Sequence, residues 1–498
     1  MGSLWRHGSC HGFYLVPHPR GLSRDCPLCQ SASCFGQAAA PGVGARRSAR
    51  IVAARGVNPR VASGTSLRMA RSKWQHGLII VSLIFAGEAI FTLPYHVTRF
   101  FRPTFLEVFQ LSATELGVAQ SAYGFIAMAA YFFGGPLADR FEPRKLLAGS
   151  LWATALGGLY LATFPDVTGV MLVWGFFGLT NILLFWAALI KVTRAWGGGD
   201  QQGLAYGLLD GGRGLLAAVL ASLGVFAFSV AFPLGYDTAT LEQKGAVLRQ
   251  VIYGYTAVTA AVGVLVWFTL RGLDGGASDT QSASTGNFFR QIKAVIKLRV
   301  VWLQSTVLVC AYTCYKAFDQ YALFAVRGHG IDEIDAAQIV ATGAWTRPIA
   351  ALALGLLGDR FGISRMALMC FVLLIISHSL FAFTGTELGT LSMILLNTLV
   401  TGIAIFGLRG LYFGLLEEGH IPLVVTGTAV GLVSVIGYTP DVYIAAVAGF
   451  LIDQSPGLAG FQHLFMLLLG FSVVGAIAAI AFERQARATS VTGGVNSP

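Results

Sequence analysis

The sequence predicts an all-α integral membrane protein with twelve transmembrane helices in two pseudo-symmetric six-helix bundles. Composition is the first observation, because 55% of the 498 residues are hydrophobic and only 12% are charged, which is too apolar for a soluble domain. The second is a series of twelve apolar stretches, each near the ~20 residues that span a bilayer. The third is a polar segment that occurs twice, 220 residues apart, and so indicates two related halves.

The apolar stretches fall into two sets of six on either side of a polar linker at 271–298, which is too short to be an independent domain. We therefore expect a first bundle at 73–270, a second bundle at 299–483 and a short tail at 484–498. The predicted spans are 76–99, 113–134, 145–164, 168–191, 203–230, 250–270, 299–325, 335–357, 365–384, 388–413, 424–450 and 461–482.

Residues 1–72 form a basic segment without hydrophobic periodicity. Residues 1–73 hold eleven bases and one acid, a net charge of +10, so the rest of the chain is neutral and offers no basic face for nucleic acid. This tail resembles an organellar transit peptide, and it also resembles translated upstream sequence, because Met69 stands just before a basic lead-in to the first span. We favour the second interpretation and expect a disordered tail with no role in the function of the bundles.

Metal-binding and catalytic motifs are weak in this sequence. Four of the seven cysteines lie in the tail, where Cys26-Pro-Leu-Cys29 could be half of a zinc site, but no second pair follows. Cys310 and Cys314 are one helical turn apart in an apolar span, where thiols pack as small hydrophobes. No Gly-x-x-x-x-Gly-Lys phosphate loop occurs, and no extramembrane stretch is long enough for a catalytic domain. We therefore expect no metal, no cofactor and no enzymatic activity.

The repeated polar segment runs from Gly135 to Lys145 and again from Gly355 to Arg365, with Asp-Arg-Phe in both copies. A glycine there lets two helix ends approach closely, and we expect the aspartate at the start of the next helix, where the helix dipole favours an acid. The residues predicted to form this conformational loop motif are Gly135, Asp139, Arg140, Arg144, Gly355, Asp359 and Arg360.

This segment, placed between helices two and three and again between eight and nine, resembles the loop signature of the major facilitator superfamily. A basic loop of some other polytopic protein is the alternative, but the paired copies favour the superfamily. The resemblance covers about residues 74–485 and implies a secondary transporter, in which two bundles rock about a central site to give alternating access. A membrane receptor on the same fold, which senses a ligand without transporting it, is the alternative function.

Bases flank the spans mainly on the side of the loop motif. Because cytoplasmic loops are enriched in Lys and Arg, we predict that both termini are cytoplasmic. The expected location is a bacterial-type inner membrane, or an organellar membrane if the tail is a transit peptide. We expect a multi-pass monomer in the lipid bilayer.

Ionisable residues inside the apolar spans are the candidate functional residues, because a charge at bilayer depth costs at least ~2.5 kcal/mol unless it faces protein or water. Each can alternatively belong to a structural ion pair. Arg213 and Arg347 lie ~15 Å into their helices, near the midplane, at ~1.5 Å per residue. Lys316 and Asp319 are three residues apart on one helical face, and we expect them to pair with each other. The seven residues are Glu88, Asp210, Arg213, Lys316, Asp319, Arg347 and Asp441.

In the superfamily, helices five and eight face each other across the two halves, so the resemblance places Arg213 opposite Arg347. Two arginines there would form a basic centre for an anion, with Asp210 as a partner of Arg213 when the site is empty. Glu88 is the candidate for proton coupling if burial favours its neutral form.

A finer resemblance is to the organophosphate:phosphate antiporter branch. Residues 139–144 read Asp-Arg-Phe-Glu-Pro-Arg, like the Asp-Arg-x-x-Pro-Arg variant of that branch, and residues 95–99 resemble its Tyr-x-x-x-Arg, whose arginine binds phosphate. The resemblance does not extend to phosphate specificity, because the seventh helix has Lys316 where the branch has a phosphate-binding arginine. Segments around Arg409 and Asp441 also resemble a less characterised group of bacterial permeases.

We predict a secondary active transporter of a small organic anion, such as an organic phosphate, a sugar acid or a carboxylate. A proton or phosphate is the expected coupling species. The predicted substrate-binding residues are Arg99, Arg213, Arg347 and Lys316, and the predicted coupling or gating residues are Glu88, Asp210, Asp319 and Asp441.

Overall fold

The protein, in a computed structural model, is helical throughout, with no strand among the residues that the structure describes. The basic tail at 1–72, with its alternative start and its cysteine pair, and most of the linker lie outside those residues. The described residues are 73–197, 202–232, 236–272, 293, 295–385, 390–412, 414–419, 421 and 423–494.

Twelve long helices run through the described part of the chain, and ten of them have the length and apolar composition to cross a membrane. The first six are α1 (Trp74–Phe100), α2 (Ala113–Arg140), α3 (Pro143–Leu161), α4 (Val167–Gly197), α5 (Gln202–Ala231) and α6 (Leu241–Thr269). The second six are α7 (Arg299–Ala317), α8 (Glu333–Phe361), α9 (Ile363–Phe383), α10 (Leu391–Leu411), α11 (Leu423–Gly437, continued by Pro440–Gln454) and α12 (Leu458–Gly494). The two shorter helices, α3 and α7, have 19 residues each.

Polar caps set where two of these helices begin. The Ser112 side chain caps α2 by accepting a hydrogen bond from the Glu115 backbone N–H, while the Glu115 carboxylate accepts one from the Ser112 N–H. Thr240 and Gln243 make the same capping box at α6, which therefore begins at Leu241 and not near residue 250 as predicted. The predicted start was wrong because it followed hydropathy, and the first turns of α6 are polar but helical.

The loop motif lies at the ends of α2 and α8, and this corrects the predicted position of its aspartates. Both helices continue past Asp139 and Asp359. The aspartates therefore lie in the last turn of a helix, where the dipole disfavours an acid, and not at the start of the next one. Other residues set the boundaries, since Pro143 opens α3 and Gly362, at φ +99°, ends α8.

The two motif glycines do not make the close helix contact that we expected of them. A Cβ atom added at Gly135 or Gly355 would meet nothing within 4 Å. Neighbouring glycines have that role, since a Cβ at Gly134 would lie 3.3 Å from a backbone oxygen of α4, and one at Gly358 would lie 3.0 Å from a side chain of α10. We call the end of the molecule that carries these loops the motif face.

The helices of each half pack mainly on one another, and the halves meet along two seams. One seam joins α2 to α11, and the other joins α5 to α8. Gly117, Gly124 and Gly449 allow the first seam to close, because a Cβ on any of them would lie 2.2 to 2.3 Å from a carbonyl oxygen of the facing helix. These contacts lie toward the end opposite the motif face, which we call the closed face.

Candidate functional site

A cavity of about 740 Å³, including its open mouth, lies between the two seams. Asp210, whose side chain is 43% exposed, lies on the motif-face side of it. Among the lining residues are five bases, two acids and six tyrosines, so the wall is cationic and rich in hydroxyl groups. The lining residues are Glu88, Phe91, Tyr95, His96, Arg99, Tyr123, Tyr131, Ile182, Trp186, Arg213, Tyr312, Tyr315, Lys316, Arg347, Arg409, Tyr438 and Asp441.

Glu88 of α1 is buried at the centre of the cavity. One of its carboxylate oxygens lies 3.5 Å from Arg213 and 3.5 Å from Arg347, which belong to different halves of the molecule. The other oxygen lies 3.2 Å from Nε2 of His96. One acid therefore lies between two arginines, and the structure brings together three of the residues that the sequence singled out.

Glycines make room for both arginines. Nε of Arg213 donates a hydrogen bond of 2.8 Å to the backbone oxygen of Gly87, and a Cβ at that glycine would lie 2.8 Å from the arginine side chain. Arg347 lies against Gly214, at 3.1 Å from the position that a Cβ would take. Asp210 lies 3.6 Å from Arg347 and 4.0 Å from Arg213, so this group contains two arginines and two acids.

A second charged group lies nearer the closed face. Nε of Arg99 lies 2.5 Å from Asp319, in a buried ion pair that joins the two halves. Lys316 lies 3.2 Å from Asp441 and 3.9 Å from Asp319. The expected pairing of Lys316 with Asp319 is therefore the longer of two contacts, because each residue has a nearer partner on another helix.

The tyrosines contact both the charges and one another. Tyr312 donates a hydrogen bond of 2.9 Å to Asp441, and the Tyr95 ring centre lies 3.9 Å from Nζ of Lys316. Tyr131 and Tyr438 stack across the first seam, with ring centres 6.1 Å apart. The wall therefore offers ring faces as well as hydroxyl groups to a ligand.

Two π-helical segments widen α1 and α4 where these helices line the cavity. They span Thr92–His96 and Leu179–Trp186, and the first contains Pro94, which lacks a backbone N–H. Such bulges are frequent at functional sites because they redirect side chains. They carry His96 and Trp186 into the wall, and sequence reasoning missed both residues because hydropathy does not report on bulges.

Sequence reasoning also did not select Arg409 as a site residue, although its side chain lines the cavity from α10. Its guanidinium carbon lies 4.2 Å from the centre of the Tyr315 ring. Arg409 lies two residues from the end of its helix, where a base is normally attributed to the membrane surface. Its place inside an apolar span was the signal that could have identified it.

The loop-motif residues lie at the motif face and do not line the cavity. Asp139 lies 3.1 Å from Lys191 of α4, and Arg144 lies 3.7 Å from Glu142. In the second copy, Arg360 lies over the ring of the adjacent Phe361. These contacts stay within one half of the chain.

Among the described residues, three groups of contacts join the halves at the closed face. The first is the pair of Arg99 with Asp319. In the second, Glu333 accepts hydrogen bonds from the Thr104 hydroxyl and from its backbone N–H, the latter at 2.8 Å. In the third, Asp453 accepts from the backbone N–H of Thr114 at 2.7 Å, at the start of α2.

Arg102 is fully buried close to these contacts. Its Nη1 donates a long hydrogen bond of 3.5 Å to Gln120, while Nε and Nη2 have no partner among the described residues. Burial lowers the pKa of Arg102 to about 10, because the surroundings disfavour the charged form.

No group of three or more His, Cys, Asp or Glu side chains that could hold a metal ion occurs in the described part of the chain. Cys310 and Cys314 are buried free thiols there, as is Cys370. The Cys26-Pro-Leu-Cys29 pair, for which we expected no metal, lies outside the described residues.

Comparisons with known proteins agree with this architecture. The profile of the Major Facilitator Superfamily matches residues 78–440. The chain is 25% identical over 429 residues to the inner membrane protein YihN of Escherichia coli, a match that covers 84% of this chain and 97% of that protein. It is also 25% identical over 424 residues to the inner membrane protein YqcE of the same organism, covering 83% and 96%.

Two solved transporter structures share the fold. The nucleoside transporter NupG superposes with a TM-score of 0.59 at 17% identity, covering 82% of this chain and 99% of NupG. A bacterial homologue of the human lysosomal transporter Spinster, in an inward-facing and occupied conformation, superposes with a TM-score of 0.62 at 15% identity, covering 83% and 98%. Since the family profile spans most of the sequence, the chain belongs to the major facilitator superfamily and is a multi-pass membrane transporter, not an enzyme.

Proposed function

We propose that the protein is a secondary active transporter of a small organic anion and works by alternating access. The observation that carries the proposal is a cavity whose bases come from both halves, namely Arg99 and Arg213 from the first and Lys316, Arg347 and Arg409 from the second. A site shared by two halves changes its exposure when they rock against each other. Because cations at bilayer depth need counter-charges, an entering anion can replace the carboxylates that now balance them.

Arg213 and Arg347 are the proposed primary ligands of the anion. Both now contact Glu88, and a substrate carboxylate or phosphate that displaced Glu88 would gain charge-assisted hydrogen bonds from guanidinium groups. Arg99 and Lys316 would assist nearer the closed face. The acids that now pair with these bases would gate the site by recapturing them when it is empty.

Glu88 is the proposed coupling group. If it binds a proton and loses its charge, it no longer balances either arginine, and both can then hold the anion. His96, 3.2 Å away, can share that proton, and its ring packs edge-on against the rings of Phe100 and Tyr255. We therefore propose proton symport, with exchange against phosphate as the alternative that would require phosphate inside the vesicle.

The orientation follows from the distribution of bases in the sequence. We propose that the motif face and both termini are cytoplasmic, so the conformation described here opens to the cytoplasm. We also propose that the protein acts as a monomer in a bacterial-type inner membrane, in keeping with the names of its Escherichia coli relatives.

Ligand binding is the first test of this proposal. Gluconate, lactate and glycerol 3-phosphate are added separately to the purified protein, and thermal unfolding is followed. A ligand that binds only the folded state raises the melting temperature, and we expect such a rise with at least one of the three anions. No rise with any of them would overturn the proposal.

Uptake is the second test, using the anion that binds and proteoliposomes that hold the wild type, Arg213→Ala, Arg347→Ala or Arg249→Ala. We expect each cavity variant to lose uptake at least ~10-fold, since one charge-assisted hydrogen bond contributes at least ~1.4 kcal/mol. Arg249 is exposed and does not line the cavity, so its variant should keep the wild-type rate. Full uptake by both cavity variants would contradict the assignment.

A further inference from the structure

Arg409 differs from the other four bases of the cavity. No carboxylate among the described side chains lies within 4.0 Å of its guanidinium, whereas Arg99, Lys316, Arg213 and Arg347 each have one within 3.5 Å. Arg409 is half-buried, and its side chain forms part of the cavity wall.

Tyr315 lies between Arg409 and the first half of the molecule. Its ring centre is 4.2 Å from the Arg409 guanidinium carbon and 5.2 Å from that of Arg99. Nη2 of Arg99 donates a hydrogen bond of 3.3 Å to the Tyr315 hydroxyl. Because that oxygen accepts from Arg99, its own O–H can donate to a ligand beside Arg409.

The charges of the cavity and its direct partners do not cancel. Counted over Arg, Lys, Asp and Glu, the five bases exceed the four acids by one, so these side chains give the site a net charge of +1. A second excess charge of either sign would raise the cost of burial in the membrane. The bases are Arg99, Arg213, Lys316, Arg347 and Arg409, and the acids are Glu88, Asp210, Asp319 and Asp441.

We propose that Arg409 supplies the unbalanced positive charge that selects a monoanionic substrate with a hydroxylated body, as in a sugar acid, alongside the proposed ligands Arg213 and Arg347. This proposal rests on the anion transport proposed above and narrows its substrate class. While Glu88 is charged, one negative charge on the ligand cancels the one unbalanced positive charge, whereas a second would need a base already paired with an acid. The site therefore favours a monoanion over a dianion of the same shape.

The tyrosines beside Arg409 indicate the hydroxylated body. Tyr312 and Tyr438 line the same cavity as Arg409, and their ring centres lie 4.9 Å apart. Phenol groups donate and accept hydrogen bonds with ligand hydroxyls, while their rings cover the apolar faces of a sugar. An aliphatic anion would use none of these hydroxyl groups.

Contact with this tyrosine group would also connect ligand binding to the movement of the halves. Tyr131 of α2 and Tyr438 of α11 stack across the first seam, beside the position of Arg409 in the wall. A ligand held by Arg409 therefore touches both halves at once, as alternating access requires.

The test uses three compounds with one six-carbon hydroxylated frame and different charges: neutral glucitol, the monoanion gluconate and the dianion glucarate. Affinity for the full-length protein is measured at pH 7.5 by titration calorimetry, with thermal unfolding as a second readout. We expect gluconate to bind at least ~10-fold more tightly than either of the others. Equal or tighter binding of glucarate, or no binding of gluconate, overturns the inference.

The variants are Arg409→Gln, Arg409→Lys and the control Arg249→Gln. We expect Arg409→Gln to weaken gluconate binding ~10 to 100-fold, Arg409→Lys to recover part of the loss by restoring the charge, and Arg249→Gln to bind as wild type. Unchanged gluconate affinity in Arg409→Gln contradicts the inference. If gluconate affinity is unchanged in Arg409→Gln while Arg213→Ala abolishes binding, the inference about Arg409 fails and the proposed anion transport stands. The same holds if glycerol 3-phosphate binds and gluconate does not. If no anion binds, both fail.

Discussion

The closed face and the motif face differ in which residues their polar contacts join. At the closed face, an ion pair and two groups of hydrogen bonds connect the first half of the chain to the second. The side chains of Arg99, Asp319, Thr104 and Glu333 are buried there, whereas Asp453 is exposed. In the loops of the motif face, outside the cavity, the described ion pairs connect residues of the same half. Asp139 contacts Lys191 within the first half, and Arg365 contacts Glu483 at 2.7 Å within the second.

Under the proposed alternating access, this difference indicates which contacts change during transport. Buried polar contacts between the halves have to break before the closed face can open, and the free energy of those contacts holds the present conformation. The contacts at the motif face stay within one rigid bundle and can persist in both conformations. The open space at Gly135 and Gly355 is consistent with a face that is not yet closed, because close helix contact there would belong to the opposite state.

The largest effect is expected at the glycine seam of α2 and α11. Gly124→Val would place side-chain atoms on the carbonyl oxygen of Asp441, since even a Cβ would lie 2.3 Å from it, and the helices would have to separate. We expect transport to be lost and the melting temperature to fall. The control is Gly254→Val, because a Cβ at Gly254 meets nothing within 4 Å. Wild-type stability and uptake in Gly124→Val would contradict the close packing of α2 against α11 at this glycine.

The next effect is expected at the ion pair of the closed face. Asp319→Asn leaves the buried Arg99 without its nearest carboxylate, and removing one partner of a buried pair costs about 3 to 5 kcal/mol. We expect a clear fall in the melting temperature. The matched variant at the motif face is Asp139→Asn, whose side chain is 56% exposed, and there we expect a change of at most ~1 kcal/mol. Similar shifts in both variants would remove the distinction between the faces.

The smallest effect is expected at Arg102. Unlike the two preceding variants, a variant at this position should be more stable than the wild type. This buried arginine has two nitrogens without hydrogen-bond partners, so Arg102→Met should raise the free energy of unfolding by about 1 kcal/mol. Burial lowers the pKa of Arg102 to about 10, so its cost to the folded state is fully present below that pH and fades above it. The gain should therefore be the same at pH 6 and pH 8 in thermal unfolding. A destabilised variant would show that Arg102 supports the closed face.

Much of the fold could be predicted because long apolar spans and a duplicated motif are properties of sequence alone. The helix boundaries were less predictable where capping decided them, as at Leu241, since a polar first turn carries no hydropathy signal. The aspartates of the motif were misplaced for a related reason. Helices α2 and α8 continue through polar residues until Pro143 and Gly362 interrupt them.

Predictions for the cavity depended on charge and depth. A charge deep in an apolar span is visible in the sequence, which therefore predicts Glu88, Arg213 and Arg347 as site residues, and the structure places them in mutual contact. Arg409 was not selected, because it lies near a helix end. The pairing of Lys316 was predicted from spacing on one helix, but the nearer acid is on α11, and contacts between distant helices are not encoded in local spacing.

The central claim is that one cavity is exposed alternately at two faces. Pulsed electron paramagnetic resonance tests it directly, because it measures the distance between two spin labels. Spin labels at the exposed positions Thr163 and His463 report on the closed face, and labels at Phe141 and Phe361 report on the motif face. The four tail cysteines are replaced by serine in both labelled proteins. With gluconate and a proton gradient across the vesicle, we predict that the closed-face distance lengthens while the motif-face distance shortens. Two distances that stay fixed, or that lengthen together, would contradict the account.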